Sequence, residues 1–166
     1  MHVSSAGVTR PDRPGIDVSV EPPAVRMNAE LGGLLTYKLA GEDAVRSAAG
    51  PRHVIVRPVA LTEEPRGAEL QAAQGDTVKG KVSRDDVAEC VVAALQGRAG
   101  PAVLGSTFEL KSTVPFSQPW TAEDAKSAPP RRDWAALLGD LRPGVTGRTI
   151  NGVYTGTEPE ASATAR

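Results

Sequence analysis

Apolar residues recur at helical spacing in several stretches of this chain. Between residues 28 and 47 the spacing predicts an amphipathic helix capped by Asn28. A second helix is predicted from Ser83 to Gly97, because Ser83-Arg84-Asp85-Asp86 forms a capping box with Asp in place of Glu. Residues 133–138 predict a third, shorter helix. The apolar face of the first helix is expected to consist of Leu31, Leu34, Leu35, Leu39 and Val45.

Short runs of β-branched residues lie between these helices. Residues 53–56, His-Val-Ile-Val, predict a buried strand, and we expect Arg57 and Pro58 to end it because proline cannot continue a central ladder. Weaker patterns predict strands at residues 70–73 and 107–110. A helix, a tight turn and an apolar strand in succession form the repeat unit of a parallel sheet. The chain is therefore predicted to have an α/β fold.

Composition narrows the functional classes. The 166 residues carry a net charge of −1, so the overall charge does not favour binding to nucleic acid. A local basic patch is compatible with this net charge. The single cysteine, Cys90, excludes an internal disulfide and disfavours a cysteine-based metal site. Its place near the apolar side of a helix favours a packing role over a reactive thiol. No apolar run reaches the length of a membrane span.

Glycine-rich phosphate-binding motifs are missing or incomplete. Residues 75–82 fall one residue short of a P-loop, because Val82 replaces the hydroxyl residue that binds Mg²⁺. The chain contains no G-x-G-x-x-G, and it is short for the two βαβαβ halves of a dinucleotide-binding domain. We therefore expect the N-terminal nucleotide-binding half to be absent and the chain to be a fragment.

Several segments, in order, resemble one family. They are Val-Ser-Ser-Ala-Gly-Val at residues 3–8, a helix with Lys38 and Glu42, Val-Ile-Val-Arg-Pro at 54–58, and the segments 80–88 and 105–110. The series resembles the C-terminal part of atypical short-chain dehydrogenase/reductase proteins of the NmrA-like, NAD(P)-binding type. It is most similar to their cyanobacterial and chloroplast branch, which is linked to photosystem II biogenesis. The resemblance implies half of a Rossmann-type, doubly wound parallel sheet at residues 1–150. Residues 151–166 are predicted to form a disordered tail, because Thr, Glu, Pro, Ser and Ala dominate from Gly156 onward.

The resemblance also implies a cofactor site. Lys38 matches the family lysine that holds ribose hydroxyls, and Ser5 lies near the active-site serine, with Ala6 as the alternative register. Arg57, Pro58 and Val59 correspond to the loop at the nicotinamide end. The cofactor would be NADP or NAD in the full-length parent, with none expected for this chain alone.

The family's active-site tyrosine is not conserved at its expected place. It precedes the lysine by four residues, where this chain has Leu34. Tyr37 is adjacent to Lys38 and points about 100° away on a helix, so it does not substitute. No catalytic or metal-ligating residue is predicted, and enzymatic activity is disfavoured because both the tyrosine and the glycine-rich turn are missing.

Three functional hypotheses follow. The first is a non-catalytic scaffold or assembly factor in the chloroplast, with protein partners among photosystem II assembly components. The alternative is an NAD(P)-dependent oxidoreductase of the atypical type that uses a tyrosine from elsewhere. The third is an RNA-associated translation factor, which the resemblance permits but the near-neutral charge does not support.

Overall fold

A computed structural model describes residues 1–11, 13–128 and 131–148 of the protein. The predicted tail at residues 151–166, and the last two residues of the predicted domain, lie outside the described residues.

A mainly parallel sheet forms the centre of the molecule. The strands are β1 (His2–Val3), β2 (Val54–Pro58), β3 (Ala60–Thr62), β4 (Leu70–Ala73), β5 (Lys81–Ser83) and β6 (Ser106–Ser112). The order of the main sheet is β1-β2-β6-β4, in which β1, β2 and β6 run parallel and β4 pairs antiparallel with β6. A second, two-stranded parallel sheet joins β3 to β5. The predicted α/β fold with a parallel, Rossmann-like sheet is confirmed.

The helices are α1 (Pro23–Arg26), α2 (Leu34–Ala49), α3 (Arg84–Leu95), α4 (Ala122–Ser127) and α5 (Trp134–Leu137). Side-chain caps satisfy the first N–H groups of α3 and α5. The Ser83 hydroxyl accepts the Asp86 N–H at 3.0 Å, which confirms the predicted start of α3. The Asp133 carboxylate caps α5 in the same way, at 2.9 Å from the Ala136 nitrogen.

The prediction for the first long helix was wrong in its start, and its apolar face was only partly confirmed. Helix α2 begins at Leu34, after Gly33 in the left-handed conformation (φ +77°). Asn28 still contributes a cap, because its Oδ1 accepts the Leu35 N–H at 2.8 Å across the intervening turn. Leu31 and Leu34 are 47% and 44% exposed, whereas Leu35 is buried as predicted and Leu39 packs against it. The other fully buried residue of α2 is Glu42. A charged residue, rather than a leucine stripe, faces the sheet.

Strand β2 continues through Arg57 and ends at Pro58, two residues beyond the predicted end at Val56. Pro58 pairs with Leu110 of β6, and its carbonyl accepts the Ala6 N–H at 2.9 Å. In a parallel sheet the N–H and C=O groups of one residue point toward the same neighbouring strand. The missing N–H of Pro58 therefore faces the short edge strand β1, and the central pairing with β6 loses no hydrogen bond.

The two faces of the central sheet differ in chemistry. On one face Val54, Val56, Phe108 and Leu110 pack against α3 and α5 in the main hydrophobic cluster. Cys90 is fully buried in this cluster, which confirms its predicted packing role, and burial raises the pKa of its thiol to about 12. On the other face the strands present charged side chains to α2, because side chains alternate between faces along a strand. The central core is thus half apolar and half ionic.

Candidate functional site

A cleft opens at the carboxyl ends of the three parallel strands. Its volume is about 1150 Å³. The chain leaving β1 lines it with residues 4–6, the chain leaving β2 with residues 59–61, and the chain leaving β6 with residues 113–116. In open parallel sheets, ligands bind in the crevice outside the carboxyl ends of the strands. The cleft is therefore the candidate functional site.

The walls of the cleft are largely apolar, and its charged lining is cationic. Five cations and one carboxylate line it, namely Arg10, Lys38, Lys79, Arg84, Lys111 and Glu21. Glu21 pairs with Arg10 at 3.1 Å and with Lys79 at 2.9 Å. Burial alone would raise the pKa of Glu21, but these two cations hold it below its ordinary value. The lining therefore keeps a net positive charge.

Lys38 and Lys111 differ from the other cations of the cleft. Arg84 pairs with Glu63, and Arg10 and Lys79 share Glu21. Within residues 1–11, 13–128 and 131–148, neither Lys38 nor Lys111 has a hydrogen-bond or ion-pair partner for its amine. Both amines are available to a ligand.

Helix α2 positions Lys38 through a buried ion pair. Lys38, Glu42 and Arg46 are spaced four residues apart and therefore share one face of the helix. The Glu42 carboxylate accepts two hydrogen bonds from Arg57 in β2, at 2.8 and 2.9 Å, and both side chains are fully buried. Arg46 binds the same carboxylate at 2.7 Å and donates to the Thr107 hydroxyl in β6. These contacts fix α2 over the sheet.

These side chains belong to an ionic cluster of Glu42, Arg46, Arg57, Asp76 and Glu109. The ionic cluster extends beyond α2 to the loop that follows β1. Arg57 also contacts the Glu109 carboxylate at 3.3 Å and donates to the Thr146 carbonyl at 2.8 Å. Glu109 accepts the backbone N–H of Asp76 at 2.9 Å. The Asp76 carboxylate in turn accepts the N–H groups of Gly7 and Thr9, at 2.6 and 2.9 Å. The loop that shapes one end of the cleft is therefore tied to β6 through Asp76.

The carboxylates of the cluster differ in their affinity for protons. Burial tends to raise the pKa of Glu42, but its hydrogen bonds and proximity to Arg57 hold the pKa below its ordinary value. Asp76 follows the same pattern, with Arg57 and Arg10 opposing the effect of burial on its pKa. Glu109 is the exception, because burial and the nearby charge of Asp76 outweigh Arg57 and raise its pKa to about 8.

The structure brings four of the five predicted cofactor residues to the cleft. Ser5, Lys38, Pro58 and Val59 line it. Arg57 does not, because its guanidinium is held inside the ionic cluster by Glu42 and Glu109. Ser5 donates its hydroxyl to the Ala6 carbonyl at 3.1 Å, and Ala6, the alternative register, also lines the cleft.

Neither Leu34 nor Tyr37 supplies a group to the cleft. Leu34 is the first residue of α2 and does not line it, and Tyr37 is 75% exposed on another side of the helix. In the described lining, the groups that hold a transferable proton are lysine ammonium groups, arginine guanidinium groups and hydroxyls.

Sequence reasoning missed both Lys111 and the ionic cluster. A signal for the cluster was present, since two predicted strands each place a charge beside apolar residues, Arg57 after Val56 and Glu109 between Phe108 and Leu110. The structure pairs them directly in the register of β2 and β6. Two opposite charges in two buried strands predict adjacent strands with a cross-strand ion pair. Lys111 follows Glu109 by two residues, on the same face of β6.

The described residues contain neither a metal-binding cluster nor a membrane-spanning helix. No group of three or more His, Cys, Asp or Glu side chains there is arranged to hold a metal ion. No helix in that part of the chain has the length and apolar character needed to cross a membrane.

A parallel sheet with helices on both faces and a cleft at the carboxyl ends of its strands defines a Rossmann-like nucleotide-binding fold. The model of the NAD(P)H-binding family matches residues 2–98, and the chain belongs to that family. A comparison with curated proteins finds no match.

A solved structure of an oxidoreductase shows the same fold. The oxidoreductase ylbE from Lactococcus lactis aligns with a TM-score of 0.50 and 14% identity, over 75% of this chain and 49% of that one. An NAD-dependent epimerase/dehydratase-like protein from Bacillus halodurans aligns with a TM-score of 0.46 and 22% identity, over the same shares of the two chains. The chain therefore spans about half the length of these two structures.

Proposed function

We propose that this chain forms the nicotinamide and substrate side of an NAD(P)-dependent oxidoreductase of the atypical short-chain dehydrogenase/reductase type. The observation that carries the proposal is the cleft at the carboxyl ends of the parallel strands, into which α2 presents Lys38 with no protein partner among the described residues. Membership of the NAD(P)H-binding family supports it. The bound cofactor would supply a hydride.

The residues of the cleft suit the nicotinamide end of such a cofactor. The Lys38 ammonium carries three donors and would bind ribose hydroxyls, which accept hydrogen bonds. Pro58, Val59 and Ala6 form apolar surface against which a nicotinamide ring would pack. The adenosine and pyrophosphate would lie on the other half of a doubly wound fold, where a glycine-rich turn meets a helix N-terminus. We infer that this half adds along the free edge of β1.

Leu34 changes how a proton would be delivered to the substrate. A leucine has no ionisable proton, so general acid catalysis in this cleft would use the Lys38 ammonium or the Ser5 hydroxyl. Glu42 and Arg57 would act as positioning residues, because they hold the helix that carries Lys38 and touch no ligand themselves.

The test uses reduced nicotinamide mononucleotide, which contains only the half of the cofactor that this cleft would hold. In calorimetric titrations of the chain, we expect this compound to bind and 2′,5′-ADP not to bind. NADPH should bind no more than a few-fold more tightly than the mononucleotide. Lys38→Met should weaken binding of the mononucleotide at least five-fold, whereas Lys126→Met, on the exposed side of α4, should leave it unchanged.

Two results would contradict the proposal. One is mononucleotide binding that Lys38→Met leaves unaltered, which would place the ligand elsewhere. The other is a low micromolar dissociation constant for NADPH together with tight binding of 2′,5′-ADP, which would mean that this chain holds the whole dinucleotide. The photosystem II role, the chloroplast location, and the protein or RNA partners stay predictions from the sequence resemblance.

A further inference from the structure

We propose that the substrate of this cleft is a small amphipathic anion, an apolar body carrying a carboxylate or similar group, and that Lys111 is the partner of its charge. The inference rests on the proposed function, because it assigns the part of the cleft that the nicotinamide would leave open. Lys111 lies near the end of β6 and was not among the residues predicted to bind the cofactor.

The position of Lys111 is set by its surroundings. A Cβ atom at residue 80 would stand 3.6 Å from Lys111 Cε and 3.7 Å from its Cβ, so the Gly80 backbone lies directly over the lysine stem. Gly80 has φ +151°, a conformation that residues with side chains rarely adopt. The stem is thus packed along its length, while the amine has no hydrogen-bond or ion-pair partner in the described part of the chain.

Lys111 and Lys38 belong to opposite sides of the cleft. Helix α2 crosses the sheet from β6, where Arg46 contacts Thr107, to β2, where Glu42 contacts Arg57. Lys38, one turn further along, therefore lies toward β1. Strand β2 lies between β1 and β6, and neighbouring strands are about 4.8 Å apart, so β1 and β6 are roughly 10 Å apart. When Lys38 binds the ribose of the cofactor, the Lys111 amine therefore remains available to a second ligand.

The remaining lining describes the second ligand. Leu61 and Phe116 line the cleft and are 46% and 63% exposed, so apolar surface there is uncovered. Their burial by a ligand would be favourable in proportion to the apolar area removed from water. The single carboxylate of the lining, Glu21, is already paired with Arg10 and Lys79, which leaves the Lys111 charge uncompensated. An apolar body with one negative charge satisfies both features.

Two nearly isosteric probes separate charge from shape. 2-Naphthoate and 2-naphthamide share the same ring system and differ by one negative charge. In calorimetric titrations of the chain, we expect 2-naphthoate to bind at least five-fold more tightly than 2-naphthamide. We expect this ratio to shrink as the salt concentration rises, because screening weakens exposed charge interactions.

Substitutions then locate the charge preference. Lys111→Gln should abolish the preference for 2-naphthoate and leave 2-naphthamide binding within two-fold of wild type. Lys111→Arg, which keeps the charge, should retain the preference, and Lys126→Gln is the control for loss of a remote surface charge. The wild-type ratio and its salt dependence test the proposal even where Lys111→Gln fails to fold.

Three outcomes would overturn the inference: equal affinity of wild type for the two probes, a preference that persists in Lys111→Gln, or an equal loss of nicotinamide mononucleotide binding in that variant. The last would assign Lys111 to the cofactor. These outcomes are distinct from failure of the proposed function, which is decided by the mononucleotide and Lys38. If the preference for 2-naphthoate depends on Lys111 but mononucleotide binding does not depend on Lys38, the inference about Lys111 holds and the proposed function fails.

Discussion

At the scale of single residues, Arg57 divides its hydrogen bonds unequally between the two carboxylates of the ionic cluster that it contacts, Glu42 and Glu109. Glu42 receives two short hydrogen bonds from this guanidinium, whereas Glu109 receives one at 3.3 Å. Taking a carboxylate out of water costs several kcal/mol, and a close cation offsets that cost only where the geometry is good. Glu42 therefore stays ionised more readily, while the pKa of Glu109 rises to about 8 because burial dominates.

The raised pKa of Glu109 makes stability depend on pH. The ordinary value is 4.5, so between about pH 4.5 and 8 the folded protein keeps a proton that the unfolded chain releases. The free energy of unfolding must then fall as the pH rises through this window. The pKa values of Glu42 and Asp76 are lowered, so their contribution is present throughout the window and is lost only at lower pH.

We expect denaturant unfolding of wild type to show a decline in stability from pH 5 to pH 8 and Glu109→Gln to show a flatter profile. Glu123→Gln, in which an 81% exposed side chain on α4 is changed, should keep the wild-type slope. A slope that survives in Glu109→Gln would mean that another group takes up the proton.

At the scale of elements, α2 is held to the sheet by charge rather than by apolar surface. Its buried positions are Leu35 and Glu42, and the leucines expected to face the core at residues 31 and 34 are about half exposed. The Glu42–Arg57 pair links the middle of α2 to the middle of β2. Because Lys38 lies one turn from Glu42 on the same face, the ion pair also determines where Lys38 enters the cleft.

Glu42→Gln should therefore lower the free energy of unfolding by about 3 kcal/mol, because it leaves Arg57 buried with an incomplete counter-charge. Asp43→Asn provides a matched control in the same helix. Its carboxylate is 48% exposed and pairs with Arg46 and Arg148 at the surface, so we expect a change below about 1 kcal/mol. Equal effects of the two substitutions in urea unfolding would contradict the assigned role of the buried pair.

At the scale of the whole molecule, the structural features that neighbouring residues determine were predictable from the sequence. The features that depend on contacts between distant segments were not. The cap at Ser83, the buried Cys90 and the strand at residues 70–73 follow from neighbours in sequence, and the structure confirms them. The α2 face was partly mispredicted because apolar spacing does not reveal that Glu42 meets a buried arginine from another strand. The end of β2 was predicted two residues too early, because a proline fits in the strand when its missing N–H faces the short edge strand β1.

The candidate site shows the same division. The resemblance placed Lys38, Ser5, Pro58 and Val59 together, and the fold gathers them at one cleft. It also placed Arg57 there, but Glu42 and Glu109 hold the Arg57 guanidinium inside the ionic cluster, away from the cleft. Lys111 was missed because its position follows from the order of strands in the sheet, which no local pattern in this chain states.

The measurement that tests the central claim most directly is a map of the ligand's location. In ¹H–¹⁵N NMR spectra of the chain titrated with reduced nicotinamide mononucleotide, we expect saturable shifts at the amides of Ser5, Lys38 and Val59, which lie on three separate segments around one cleft. A second, smaller cavity of about 440 Å³, lined by Gln71 and Asp140 among others, provides an internal comparison. Saturable shifts confined to that second cavity, with the three cleft amides unmoved, would contradict the account.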